Sequence, residues 1–361
     1  MPAELSTTNG VYAFADSKVG ADGRVAAWHR LGTPVGREMT AQEALEAAHL
    51  ANWNVRKVPL LAQNPAEDGA PGASMPLLAI PGRFGVVFDN PVNGKVEALP
   101  ATVGNRYEHA QNEALAQFGE AMVDEIGQRN WQTAGSLRGY TQVFLTMKMP
   151  QTMELRVKSG AVDVTEYYLA LLNSHDGSVA ITGLITPVRI VCANTQQAAI
   201  QSAVSSFKIR HTRNWQNALE EARRVLGIAF RYEEAFEAEV KRLYAMEMSS
   251  EQAKVAADNL VELSKVERDS RAATQRLNAS NAIVKLFVSS PTITDTIGGT
   301  RWGFYNAVSE YVDHFQGVRN AHGDEASARA IRTITAAQAN NGLKASAWKM
   351  MTESSRLVMA N

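Results

Sequence analysis

Residues 207–215, FKIRHTRNW, set Lys208, Arg210, His211 and Arg213 between the rings of Phe207 and Trp215. In an extended chain Lys208, Arg210 and Thr212 share one face. Cations interleaved with rings are the chemistry of a sequence-tolerant single-stranded nucleic-acid groove, where Lys and Arg meet phosphates and bases stack on aromatic faces. The plainer reading is a solvated basic strand, balanced by Glu220 and Glu221 a few residues on.

A second group is His175 and Asp176, inside Ser174-His175-Asp176-Gly177-Ser178. They read as a metal-ligand or acid/base pair, or else Asp176 and Gly177 make a turn and His175 is a solvated turn residue. A third group is Asp313 and His314. With Asn306 and Glu310 on adjacent helical turns, one helix face there presents an amide and two carboxylates. That face suits a divalent cation or hydrogen bonding to a neighbouring helix. The opposite face, Phe304, Ala307, Val308, Tyr311 and Phe315, is a core stripe. The chain has no phosphate-binding glycine loop, no nucleophile elbow and no His-Glu-x-x-His. Its one cysteine, Cys192, excludes an intrachain disulfide and reads as a small buried residue on an apolar helix face. No cofactor is implied.

These groups depend on the elements that carry them. Thr40 with Glu43 three residues on is a capping box opening a short helix. Residues 55–62, VRKVPLLA, read as a strand, and residues 64–74 as a polar Gly/Pro loop. Asn93-Gly94 marks a turn between strands. Leu115, Phe118, Met122, Val123 and Ile126 have helical spacing. Val143, Leu145 and Met147 share one face of a strand, and residues 164–187 form a hairpin around the Asp-Gly turn. From Pro187 the run PVRIVCANTQQAAIQSAVSSF predicts a helix with proline in its first turn. Helices are expected near 214–247, 250–289, 302–316, 325–339 and 343–358.

The fold class expected is therefore α+β: an N-terminal antiparallel hairpin sheet with packed helices over 1–213, then a mainly helical half over 214–361. The 361 residues are 45% hydrophobic and 20% charged, with a formal net charge of −1. No global basic field draws the chain to nucleic acid, so an anion-binding surface must come from local clustering. There is no apolar run of membrane-spanning length and no secretory signal, and the expectation is a cytoplasmic protein without membrane contact.

Several segments carry a resemblance. They are AWHRLGTPV at 27–35, Asn105-Arg106-Tyr107 with Gln111-Asn112, Asn173 to Ser178, PVRIVCANT at 187–195, Arg210-His211-Thr212, and TRWGFYNAVSEYVDH at 300–314. In these the chain resembles the phage/plasmid-like protein family, a domain of unknown function (number 932). The resemblance implies a phage, prophage or plasmid origin and supplies no activity. The arrangement looks, by analogy of fold alone, like a single-strand annealing recombinase. On that reading the protein is a homo-oligomer that binds single-stranded DNA in replication or recombination. Arg189, Lys208, Arg210 and Arg213 would meet phosphates, with His211 in the same run, and Trp215, Phe207 or Trp302 would stack bases. Asn194 and Thr195 would support the site by hydrogen bonds. Two other readings stay open. One is a metal-dependent nuclease or other hydrolase using His175, Asp176, His211, Asp313 and His314. The other is a non-enzymatic scaffold or host-interaction protein.

Overall fold

A computed structural model describes residues 5–18, 32–63, 77–123, 130–157, 160, 162–189, 194–195, 206–212, 218, 236–316 and 342–353. The strands are β1 (Thr7–Thr8), β2 (Val11–Tyr12), β3 (Phe14–Asp16), β4 (Thr33–Pro34), β5 (Arg56–Gln63), β6 (Leu77–Asn90) and β7 (Lys95–Gly104). They continue with β8 (Trp131–Leu137), β9 (Gln142–Arg156), β10 (Val162–Ser174), β11 (Ile181–Arg189), β12 (Asn194–Thr195) and β13 (Ser206–Ile209). The helices are α1 (Ala41–Ala47), α2 (Asn112–Val123), α3 (236–245), α4 (Ser250–Leu260), α5 (Arg271–Ser289), α6 (Pro291–Thr294), α7 (Arg301–Glu310) and α8 (Leu343–Glu353). The class is α+β. Among the described residues the strands end at Ile209, and the elements from 236 onward are helical.

The main sheet runs β12-β11-β10-β9-β8-β3-β4, with β13 also paired to β11. All its pairs are antiparallel except β3 with β4. β9 and β10 form its long centre, paired from Arg156↔Val162 to Gln142↔Ser174. Burial alternates in the first part of β10 and becomes continuous toward Ser174. A strand covered on both faces buries both sets of side chains. One cover is α2, which packs on β10, with α1 against α2 and β8. A second antiparallel sheet, β5-β6-β7, is closed at one end by the turn after Asn90, where Gly94 takes the positive φ (67°) that glycine allows. The helical part joins the same core: Phe236 meets Tyr167 of β10 edge-to-face at 6.4 Å. Among the described residues no helix is long and apolar enough to cross a membrane.

The capping box forms as expected. Glu43 N donates to Thr40 Oγ1 (3.3 Å) and Thr40 N to Glu43 Oε2 (2.9 Å), while Arg37 braces the same carboxylate. Thr40→Ala is expected to cost about 1 kcal/mol, read as a lower urea midpoint with unchanged m-value. An unaltered midpoint would mean the box contributes nothing here.

Two expected helices are corrected. The second arm of the expected hairpin forms but runs on to Arg189, so Pro187 to Arg189 are strand and not the first turn of a helix. Ile181, Thr182, Ile185, Thr186 and Val188 are β-branched, and the segment pairs with β10 from Thr182 to Arg189. Pro187 falls between the stretch of β11 paired with β13 and that paired with β12, where no described residue pairs with it on that edge and a missing N–H is tolerated. Cys192 and the rest of the expected helix to 205, apart from Asn194–Thr195, lie outside the described residues, as do 64–74, 325–339 and the boundary at 213–214. The second correction is 250–289, which is two helices. Glu262 (φ 53°) and Asp269 (φ 68°) turn the chain left-handed between them, and Ser270 caps α5 by accepting from Ala273 N.

Candidate functional site

Three of the segments that carry the resemblance meet in space. Residues 105–112 link β7 to α2, residues 173–178 turn from β10 toward β11, and His211 follows β13. Tyr107 stacks on His211 with ring centres 4.7 Å apart and donates its hydroxyl to Ser174 O at 2.6 Å. His109 lies edge-on to Tyr107 at 4.9 Å and 6.0 Å from the His175 ring. Trp53 closes the other side of His175 at 5.7 Å.

Backbone and amide hydrogen bonds hold this arrangement. Gln111 clamps both polar groups of Val55, accepting from its N–H and donating to its carbonyl. Asn173 donates to Ala110 O, and His175 N to Thr141 O. Lys57 Nζ donates to Tyr107 O at 2.6 Å, and Glu108 N to His211 O. Asn112 donates its Nδ2 to Leu50 O at 2.9 Å, which leaves its Oδ1 facing His175 Nε2 at 3.2 Å. An amide oxygen only accepts, so His175 carries its proton on Nε2 and presents Nδ1 as a bare lone pair. His211 Nε2 faces Val179 O at 3.1 Å, which assigns it the same tautomer.

Three ring nitrogens in this cluster are shielded from solvent and lack a hydrogen-bond partner among the described residues: both of His109 and Nδ1 of His175. Each such group costs about 1–3 kcal/mol when left unmade. The electrostatics agree with three neutral rings. Burial, then the proximity of His109 and His211, pushes His175 down to about 3. Burial, then His211 and Lys57, pushes His109 down to about 4. His211 is lowered by burial, opposed by the Val179 and Glu108 carbonyls and by Asp176. Burial raises the Tyr107 hydroxyl.

His175 is therefore not a solvated turn residue: it is 0% exposed. Asp176 does make the turn, accepting from Ser178 N at 2.8 Å, with Gly177 at φ 78°. His109 escaped the sequence reading. It is one polar residue in a loop, and its only signal was its place two residues after Tyr107 in a segment already singled out.

β13 alternates. Lys208 and Arg210 are exposed, while Phe207 and His211 turn inward. Phe207 lies over Gly183 of β11, where a Cβ would stand 2.2 Å from its ring, and packs on Phe118 at 5.8 Å. It is thus occupied in the core rather than free to stack a base. Trp302 is corrected in the same way: it is 0% exposed, stacked on Tyr305 at 5.4 Å and set edge-on to Phe236 and Trp348. Helix α7, which bears Trp302, does lie against β12 and so against Asn194 and Thr195. Arg189 pairs with Asn194 across that hairpin. Arg213 and Trp215 lie outside the described residues.

The polar face of α7 is used for hydrogen bonding to its surroundings. Asn306 donates to Trp302 O, and Glu310 accepts from Ser290 and Thr292. Beyond α7 the chain continues as a π-helical turn, Tyr311–Phe315. There Asp313 pairs with Lys344 at 2.6 Å, both side chains buried, and His314 is exposed. Among the described residues no three His, Cys, Asp or Glu side chains are placed to hold one metal ion.

A family model described as Domain of unknown function (DUF932) matches residues 101–334, which include all three histidines. No curated protein and no solved structure matches the chain.

Proposed function

The chain belongs to the DUF932 family, whose function is unknown, and we propose that it is a nucleic-acid-binding protein that takes single-stranded DNA along the outer face of β13. The observation that carries this is the alternation on that strand. Lys208 and Arg210 are exposed, and among the described residues neither is in an ion pair. A pair of unmatched cations on one edge suits a run of phosphates in a chain whose net charge of −1 provides no general attraction. Arg213 and Trp215 continue the same run, and with Phe207 and Trp302 buried Trp215 is the ring left to stack a base. Arg189, Asn194 and Thr195 belong to the neighbouring hairpin on the same side of β11. In the setting that the phage/plasmid-like resemblance implies, the role is in phage DNA replication or recombination, as a homo-oligomer in the host cytoplasm, without a cofactor. The 1–213 sheet portion carries the binding edge, and the 214–361 helical portion braces it or joins subunits.

The test is fluorescence anisotropy of labelled single- and double-stranded oligonucleotides across a salt series. Salt-dependent preference for single strands is expected. A Lys208→Ala/Arg210→Ala double substitution should reduce the slope of log K against log salt by about 1.4, two phosphates' worth. No binding at low salt ends the proposal, and an unchanged slope removes these two residues from it.

One observation favours a second reading, a metal-dependent hydrolase: the buried, partnerless histidine nitrogens. Asp313, held by Lys344, and the exposed His314 are not part of that cluster as described, and His109 takes a place in it.

A further inference from the structure

We propose that His109 and His175 form a binding site for a divalent ion of the late first transition row, zinc, cobalt or nickel in type, with positions left open for water or a bound ligand. The inference is independent of nucleic-acid binding at β13.

The first argument is the missing partner. Buried polar atoms are rarely left without one, yet His109 has two such nitrogens and His175 has one, on rings 6.0 Å apart and tilted by 47°. Two imidazoles sharing a tetrahedral ion with bonds of about 2.05 Å place their ring centres about 5–6 Å apart. The second argument is the chemistry of the donors. His175 Nδ1 is a lone pair by its tautomer, so what it lacks is a donor proton or a metal. Ligating histidines characteristically give their other N–H to a carbonyl. Here His175 gives it to Asn112, whose amide is in turn fixed by Leu50 O, and His211 beside them gives its own to Val179 O. Neutral imidazoles select zinc, nickel and copper over the oxygen-seeking calcium and magnesium. No third His, Cys, Asp or Glu among the described residues shares the position, so the coordination shell is incomplete as far as the chain supplies it, as in open rather than structural sites.

The experiment uses the full chain, stripped with chelator and titrated with Co²⁺ at pH 7.5, then with Zn²⁺ as competitor. One equivalent should bind, and His109→Gln should weaken it at least tenfold. The pH profile separates this site from surface histidines. Both rings stay neutral well below pH 6, with His211, Lys57, Tyr107, Glu108 and Asp176 as the other titratable groups around them. Affinity should therefore change less than about twofold between pH 7.5 and 5.5, where two ordinary histidines would lose about 100-fold. Histidine ¹⁵N shifts of the unsubstituted chain provide a reading even if His109→Gln fails to fold: zinc should move two resonances, those of His109 and His175. No saturable binding at millimolar metal overturns the proposal and leaves ordered water as the partner of these nitrogens. Equal affinity in folded His109→Gln, a hundredfold loss at pH 5.5, or shifts confined to other histidines such as His49 and His314 overturn it as well.

Discussion

Gly303→Ala is expected to lower stability by about 2–3 kcal/mol, although alanine is the better helix former. Gly303 lies in the first turn of α7, where its N–H donates to the cap Thr300 Oγ1 at 3.0 Å. Helix propensity alone favours alanine by about 1 kcal/mol. The opposing effect is steric. A Cβ at this position would stand 2.5 Å from Ile297 O and 3.5 Å from a methyl of Ile293. That carbonyl cannot retreat easily, because the segment holding it is pinned on both sides. Ile297 N donates to Ile293 O, Thr300 Oγ1 to Ile297 O itself, Met248 N to Gly299 O, and Arg301 N to Met246 O. Ile293, Ile297 and Trp302 are fully buried, so a shift of the turn would disturb packed core. The clash therefore outweighs the propensity gain. Urea unfolding of Gly303→Ala beside Gly104→Ala checks this, since a Cβ at Gly104 meets nothing within 4 Å. Equal midpoints for the two variants would show that the α6–α7 turn yields more than its hydrogen bonds suggest.

What the sequence made legible was local. The Thr40 capping box, the Asn93-Gly94 turn, the Asp176-Gly177 turn and the shared outward face of Lys208, Arg210 and Thr212 each follow from a few adjacent residues, and each appears. What it hid was decided by partners far along the chain. The spacing of Val188, Val191 and Cys192 suits a helix, yet a short set of apolar residues fits a buried strand as well, and Val188 is strand because β10 stands beside it. The break in 250–289 needed two non-glycine residues at positive φ, which spacing does not announce. The candidate site was hidden most. His175 looked like part of a turn because its turn chemistry is local. Its burial is imposed by Trp53 and Asn112, which the β5–β7 sheet and α2 bring in from more than sixty residues away. Trp302 failed as a surface residue for the same reason, since Phe236 and Trp348 enclose it.

Trp53→Ala is expected to cost about 3–5 kcal/mol, and its effect should reach the histidines. Trp53 is fully buried where the two sheets meet. Its ring lies 4.9 Å from Phe88 of β6, 5.6 Å from Tyr140 at the β8–β9 turn and 5.7 Å from His175. Its Nε1 donates to His49 O, and its own carbonyl accepts from Asp89 N. Truncation removes the shared wall and leaves a cavity bounded on one side by His175. Trp53→Phe keeps most of the apolar contact and loses the bond to His49 O, so it should cost about 1–3 kcal/mol. The pair separates packing from wall. In Trp53→Ala water gains access to His175, the desolvation that holds its pKa near 3 is relieved, and the ring should titrate closer to 6.5. In Trp53→Phe it should remain depressed. Histidine titration by NMR, alongside urea unfolding of both variants, reads the two effects on one set of samples. A His175 that stays depressed in a folded Trp53→Ala protein would show that Asn112 and the neighbouring rings, not Trp53, keep water from the site.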